Sequence, residues 1–557
     1  MKLKGAEVLL KCMSEQGVDT VFGYPGGTVL PIYDALYNSK DINHIMTAHE
    51  QGATHAADGY ARSTGKTGVV IVTSGPGATN TVTGIATAYR DSVPIVVFTG
   101  QVSLKLLGKD SFQEVDIRDI TSSITKKNYM VEDVKNLAGI VREAFRVAVS
   151  GRPGPVVVDI PKDIQESEVE YKPEVDDLAV SKNKIGFNQR EFKDRLDEAV
   201  DMIDNSERPV IYSGGGAVIS GAQRELMELV KKIDSPITCS LMGIGAFPGN
   251  NKSYMGMVGM HGNPCSNYAV NNCDLLIAIG ARFSDRVISK VEDFAPKAKI
   301  IHIDIDSREF GKNISEDISI KGDVREVLKR INKKVKNASH EKWMHRIKQW
   351  KSEEKDPFEK NCRLSPKYIM NCLYKITKGD CIITTEVGQN QIWTAQYFKF
   401  LKPRTFISSG GLGTMGYGLG ASIGASIGNP GKRVINVAGD GSFKMNSVEL
   451  ATVAKYKLPI VQLLLNNHAL GMVYQWQDMF YNKRFSSTEL GQDVNFMELG
   501  KAYGIEAFKI ESNDQVEEVL VKALNLNKPV IVECNINRQE RVHPIVPPGA
   551  AITEIIA

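Results

Sequence analysis

Three groups of residues in the 557-residue chain have the types and spacing to do chemistry. The first is Gly439-Asp440-Gly441 together with Asn466-Asn467. Each follows an apolar run, VINVA or IVQLLL, that reads as a strand. A crossover helix between them would set Asp440 and Asn467 side by side at the carboxyl edge of a parallel sheet, where open sheets bind ligands. A carboxylate and an amide oxygen are hard donors, too few for a protein-only cage but suited to Mg²⁺ that fills its shell with phosphate oxygens and water. The implied ligand is a diphosphate. Asp-Gly and Asn-Asn are common turn dipeptides, so the joint spacing carries the argument. The second group, Glu386-Val387-Gly388-Gln389-Asn390, follows the strand CIITT and offers backbone donors at a helix start, a ready anion site. The third is Glu50, between the strand HIMTA and a helix whose N-terminus favours a carboxylate. His49-Glu50 begins a zinc-type H-E-x-x-H, but Ala53 occupies the second histidine position and His55 lies off that helical face. Zinc is excluded.

A competing motif is Gly411-Leu412-Gly413-Thr414-Met415-Gly416, which fits the dinucleotide pattern G-x-G-x-x-G after RTFISS. That reading needs its own acidic residue at the end of the next strand. The residue there is Asp440, already used by the metal pair.

The elements that must position these residues are legible as a pattern. Short apolar runs bounded by glycines alternate with longer helical periods, which predicts an α/β chain of mostly parallel sheets flanked by helices. Two polar stretches, 166–188 and 352–367, read as linkers. They divide the chain into domains 1–165, 189–345 and 366–535 with a tail 536–557. The first and third segments resemble each other. GVVIVTSGPG leads by a helical stretch to DSVPIVVFTG, and RVINVAGDG leads likewise to YKLPIVQLLLNN. Each is a strand, a G-x-G turn, a helix and a strand opening on Pro-Ile-Val, as a right-handed βαβ unit requires. This points to internal duplication. Only the later copy has an acid, Asp440, in its turn. In the middle segment, glycines 214–216 and 280 sit at strand ends, either as ordinary turns or as a nucleotide site.

Composition bounds the rest. With 42% hydrophobic and 24% charged residues, the chain fits neither a disordered nor a membrane class. A net charge of +3 is too small for its length to imply a nucleic-acid or anionic-membrane surface. No apolar run approaches the ~20 residues of a membrane span, and charges interrupt any signal-peptide core in MKLKGAEVLLKCMSEQG. A cytoplasmic protein is expected. The eight cysteines, none spaced as C-x-x-C, read as reduced core thiols.

The Asp440–Asn467 pattern resembles the signature of thiamine-diphosphate enzymes, in which Asp, Asn and a backbone carbonyl two residues later bind the metal. The resemblance makes Ala469 the carbonyl ligand and Val387, Gly388, Gln389 and Asn390 the diphosphate holders. Gly413 and Met415 would flank the pyrimidine, with Met415 as the wedge that bends the cofactor. Gly439, Gly441, Ser442, Gly471 and Met472 complete the implied contacts. Glu50 in E-Q-G-A matches the acid that protonates the aminopyrimidine ring, so that its exocyclic amine can take the C2 proton of the thiazolium. That role calls for a raised carboxyl pKa.

Nearly the whole chain resembles the large catalytic subunits of the acetohydroxyacid synthase family, which joins pyruvate to pyruvate or 2-ketobutyrate with loss of CO₂. The matching segments are YPGG (24–27), EQGA (50–53), SGPGATN (74–80), SFQEVD (111–116), GRPGPVVVDIPKD (151–163), GMHG (259–262), RFSDR (282–286) and LGMVYQWQ (470–477). The resemblance implies that Gly27 and Gln113 face the reacting keto acid, Phe112 shapes the pocket and Lys162 lies at the channel entrance. Arg286 would pair with the carboxylate of the second keto acid and Trp476 would contact its alkyl group. RFSDR marks the biosynthetic, FAD-containing branch. The implied FAD contacts are Arg152, Gly214, Gly215, Leu241, Met242, Met260, His261, Gly280, Arg282, Asp304, Ile305, Asp323 and Val324, with a structural rather than redox role. Ser103 and Ser284 depart from the family's usual proline and aspartate. The family further implies at least a homodimer, in which Glu50 of one chain meets the diphosphate site of another, and a regulatory small subunit.

Overall fold

The computed structural model describes residues 1–174, 189–353, 364–491 and 494–556. Three six-stranded sheets are each parallel throughout, and strands such as Gly68–Val72, Leu275–Ile279 and Ile460–Asn466 are buried along their whole length. Such strands must be apolar on both faces, which is why they read as continuous runs in the sequence.

The first sheet runs in space as Asn43–Met46, Thr20–Tyr24, Gly68–Val72, Ile95–Gln101, Val156–Pro161 and Lys127–Met130. The third runs as Phe406–Ile407, Ile382–Thr385, Val434–Gly439, Ile460–Asn466, Val530–Asn535 and Glu506–Ile510. Numbered by chain order within each domain, both read 2-1-3-4-6-5. The internal likeness seen in two βαβ units therefore extends over the whole of both sheets. The middle sheet runs as Tyr254–Met257, Ile237–Cys239, Pro209–Ser213, Leu275–Ile279, Lys299–Asp304 and Ile318–Lys321. This is the order 3-2-1-4-5-6 of dinucleotide-binding sheets, whose switch point falls between the first and fourth strands. Gly214 and Gly280 end those two strands.

Polarity misled the reading of the linkers. Glu168–Glu170 pairs antiparallel with Lys2–Lys4, and Tyr171 is buried, so the chain stays attached to the first domain beyond 166. A ribbon with charged outward residues looks like a loop in composition. The helix Glu341–Glu353 likewise runs past 345, because Trp343 and Ile347 are buried in the core of the middle domain. Of the rest of the two expected linkers, 175–188 and 354–363 lie outside the described residues, while Leu364 is buried and Pro366 opens the helix Pro366–Thr377. RTFISS contributes only Phe406–Ile407, an edge strand with one neighbour. Seven cysteines are buried and unbridged, and burial pushes thiols such as Cys12 up to about 12, where they are inert. Cys362 lies outside the described residues. No helix among them is long and apolar enough to cross a membrane.

The first and third domains of one chain share a continuous apolar core through the helices Glu50–Thr64 and Gly418–Gly428. Backbones touch there: a Cβ on Gly424 would lie 1.7 Å from the Ala56 carbonyl, and one on Gly59 2.1 Å from that of Ala421. Buried charges cross the same boundary. Arg62 Nε donates to Asp58 (2.6 Å) and its Nη2 to Asp91 (3.0 Å), while Asp91 accepts from the backbone N–H groups of Gly410 (3.0 Å) and Gly411 (2.7 Å). The loop bearing Met415 is thus fastened to the end of a first-domain helix.

Gly424→Ala gains at most about 1 kcal/mol of helix propensity against a backbone clash that neither helix can relieve. We expect a net loss of about 2 kcal/mol, read as a lowered thermal midpoint. A midpoint at or above wild type would contradict the contact.

Candidate active site

A cavity opens at the carboxyl edge of the third sheet. Its walls include Val387, Gly388, Gln389 and Asn390 after one strand, Met415 from the loop beyond the edge strand, Gly439, Gly441 and Ser442 after the next, and Asn467, Ala469, Gly471 and Met472 after the fourth. Four separated stretches of sequence meet because a parallel sheet delivers every strand end to one side. Trp393, Leu465, Leu470 and Val473 also line it and were not singled out in the sequence, being apolar residues indistinguishable from core. Gly413 stands at the rim, where its Cβ would reach 4.0 Å from Val387.

Asp440 lies between two lining glycines. Strand register pairs Gly439 with Leu465, so Asp440 falls beside Asn466 and Asn467. Both its carboxylate oxygens are buried and neither accepts a well-formed hydrogen bond; burial raises its pKa to about 6, which Lys444 and the nearby N–H groups of Asp440 and Gly441 offset only in part. An unpartnered buried carboxylate is costly unless a cation joins it. Asn467 donates Nδ2 to Gln389 Oε1 (3.0 Å), which fixes the amide and leaves Oδ1 to take only a 3.2 Å bond from the Ala469 N–H. Between them His468 holds φ +56°, a left-handed turn that brings Ala469 back to the cavity wall. The oxygens of Asp440, Asn467 and Ala469 fit a hard divalent ion. Beside them the helix Gln389–Tyr397 starts without a side-chain cap, so its first N–H groups are free for an anion.

Glu386, just ahead of this helix and the first residue of the group 386–390, organises the loop beside it rather than the anion site. It is fully buried and accepts from the Gly416 N–H (2.8 Å), the Leu419 N–H (3.1 Å) and Ser442 Oγ (2.8 Å). Its carboxylate occupies the N-terminus of the helix Gly418–Gly428, the place a dinucleotide pyrophosphate would take. This rules against the dinucleotide reading of 411–416. The signal was present as an acid closing the strand CIITT.

The first-domain residues gather at the carboxyl edge of their own sheet. Gly27 follows the strand Thr20–Tyr24, Glu50 follows Asn43–Met46, Phe112 and Gln113 follow Ile95–Gln101, and Lys162 directly follows Pro161. Glu50 accepts from Asn80 Nδ2 (2.9 Å), and its Oε1 lies 3.4 Å from a Cβ built on Gly77. Gln113 is held at φ +61° against Gly75, a strained conformation for a residue with a side chain. Phe112 is 87% exposed, so within one chain it shapes no enclosed wall.

The middle-domain set obeys the same rule. Gly214–Gly215, Leu241–Met242, Met260–His261, Gly280–Arg282, Asp304–Ile305 and Asp323–Val324 follow the six strands in turn, so one edge carries them all. A Cβ on Gly216 would lie 2.8 Å from Gly280 Cα, which keeps the switch point open only to glycine. Arg152 reaches in from the first domain to Glu309 (2.7 Å) and Asp306 (3.5 Å). Burial raises Asp304 to about 6 and lowers His261 to about 4. Arg286 of this domain sits 5.9 Å from the ring of Trp476 of the third, within cation–π range, and its guanidinium is exposed.

Duplicated sheets, an anion-ready helix start with a hard-donor pair, and a glutamate at the edge of the other sheet suit an enzyme that holds a diphosphate cofactor. The Thiamine pyrophosphate enzyme models agree: the N-terminal TPP binding domain matches residues 3–120, the central domain 196–331 and the C-terminal TPP binding domain 386–534, and the chain belongs to this family. Within it the chain is a member of the acetolactate synthase large-subunit group. It is 46% identical to a probable acetolactate synthase large subunit of Methanocaldococcus jannaschii over 100% of this chain and 95% of the relative. It is 42% identical to the isozyme 2 large subunit of Escherichia coli over 100% and 99%. Against the chloroplastic acetolactate synthase 3 of Brassica napus it is 43% identical over 99% and 86%.

A buried acid with a raised pKa stabilises the fold only while protonated; that contribution is full below about pH 4 and is lost as pH rises through about 6. Cofactor-free Asp440→Asn should therefore be more stable than wild type at pH 8, by up to about 3 kcal/mol, with the gap closing near pH 4. Chemical denaturation at the two pH values measures this, and equal midpoints at pH 8 would refute the unpartnered carboxylate.

Proposed function

We propose that the chain is the catalytic subunit of an acetolactate synthase, which decarboxylates pyruvate and ligates the two-carbon unit to pyruvate or 2-ketobutyrate in branched-chain amino-acid synthesis. The observation that carries this is the buried, unpartnered Asp440 carboxylate beside Asn467, at the uncapped start of the helix Gln389–Tyr397. Mg²⁺ would be held by Asp440, Asn467 Oδ1 and the Ala469 carbonyl, and the diphosphate by the backbone of 387–390. Thiamine diphosphate bound there would supply the carbon nucleophile and the electron sink that decarboxylation needs.

The chain's own residues do the rest. Glu50 holds the proton at the aminopyrimidine ring, with Asn80 orienting its carboxylate. Glu50 is not among the residues lining the cavity of its own chain, and we assign the complete site to two copies of the chain, as the family resemblance implies. Gly27, Gln113 and Phe112 would then face the donor keto acid across the copy boundary, with Lys162 at the entrance. Arg286 offers a planar guanidinium to the acceptor's carboxylate, and Trp476, against which it lies, offers an apolar face to the acceptor's alkyl group. FAD would lie along the carboxyl edge of the middle sheet, across the switch point between Gly214 and Gly280. We further propose three domains, the first running from residue 1 through Tyr171, the second from 189 through Glu353 and the third over 366–535 with the tail 536–557, together with a cytoplasmic site of action and a regulatory small subunit as partner, as relatives named large subunits imply.

The test is product analysis with pyruvate after cofactor removal, restoring thiamine diphosphate, Mg²⁺ and FAD singly and together. We expect acetolactate only with all three. Free acetaldehyde as the main product would instead identify a simple decarboxylase. Glu50→Gln should lower turnover by about 10²- to 10⁴-fold, and wild-type turnover would remove Glu50 from its role.

A further inference from the structure

The helix that begins with Glu50 is not secured by its own domain alone. Glu449, from the third domain, is completely buried and places its carboxylate across the entry to that helix. Its Oε1 accepts from the His49 N–H (3.0 Å) and its Oε2 from the Ala48 N–H (3.2 Å) and from Thr452 Oγ1 (2.6 Å). His49 is the N-cap residue and immediately precedes Glu50. The fit leaves no slack: a Cβ on Gly52 would stand 1.9 Å from Glu449 Oε1, so the glycine of E-Q-G-A is the space this carboxylate occupies. The same contact explains why a polar acid survives in an apolar core, since its hydrogen bonds and the helix N-terminus offset its desolvation.

We propose that Glu449 is a positioning residue for the reaction: it fixes where Glu50 projects from the first domain, without touching substrate or cofactor. The inference rests on the reading of Glu50 as the cofactor-activating acid. An acid must meet its proton acceptor within hydrogen-bond reach, and a displacement of about 1 Å can cost about 100-fold in rate. Loosening the two N–H bonds that precede Glu50 should therefore appear in the proton step rather than in binding.

The experiment compares Glu449→Gln, Gly52→Ala and Glu50→Gln in the full holoenzyme. Gly52→Ala displaces the Glu449 carboxylate while keeping its charge, and serves where the glutamine variant fails to fold. Three readouts are taken: kcat and KM for pyruvate, the hydrogen–deuterium exchange rate at C2 of bound thiamine diphosphate after acid quench, and amide exchange of residues 48–52 in cofactor-free protein. We expect Glu449→Gln and Gly52→Ala to lower kcat and C2 exchange together by about 10- to 100-fold. KM should stay within about twofold, and the Ala48 and His49 amides should lose protection. Wild-type C2 exchange in a variant whose amides have lost protection would overturn the proposal, as would a loss confined to KM. Unaltered C2 exchange in Glu50→Gln would instead overturn the role of Glu50 itself, so the two failures are distinguishable.

Discussion

A carboxylate taken out of water without a well-formed hydrogen bond is among the least favourable arrangements a fold can hold. Asp440 is in that state, and the architecture around it becomes intelligible once a cation is allowed to complete it. The neighbouring amide of Asn467 is fixed by its hydrogen bond to Gln389, and the adjacent helix start is left without a cap. The bare carboxylate and the uncapped helix start each cost stability alone. Together they are what the proposed divalent ion with its anionic ligand would complete, with the cost of assembly met during folding rather than at binding.

Holding such a site requires rigid surroundings, and three buried acids supply them by crossing between elements. Glu386 ties the loop at Gly416 to Ser442, Asp91 fastens Gly410 and Gly411 to the first domain, and Glu449 closes the start of the Glu50 helix. Buried charged groups of this kind contribute little net stability, because desolvation cancels most of their attraction. Their effect is to make one relative placement of the domains far better satisfied than any near alternative. The apolar contact between the helices Glu50–Thr64 and Gly418–Gly428 supplies the adhesion, and the acids set the register.

The likeness between the first and third sheets shows how one framework comes to serve two chemical tasks. Both present strand ends on one side in the same order. In the third, the turn after Gly439 carries the metal-seeking acid; in the first, the corresponding turn at Gly75–Gly77 carries none and lies instead beside Glu50. The difference between the two tasks proposed for these edges, holding a phosphate and handling a proton, resides in a few turn residues.

Much of this was legible before any coordinates. Parallel strands buried on both faces must be apolar throughout, so they stand out as runs, and turns that need glycine or an acid name themselves at the ends of those runs; hence the α/β class, the duplication, and Asp440, Asn467 and Glu50 as chemistry-bearing residues. The sequence could not distinguish the ribbon Glu168–Glu170 or the helix Glu341–Glu353 from linkers, because an exposed polar face has the same composition in either state. Nor could it single out Asp91 and Glu449, since a buried acid differs from a surface acid only by what the rest of the chain places over it. That Arg286 stacks near Trp476, 190 residues away in sequence, is likewise a matter of domains meeting. Local pattern specifies elements and the ends where ligands gather; long-range packing alone decides which polar groups lose their water and must find each other.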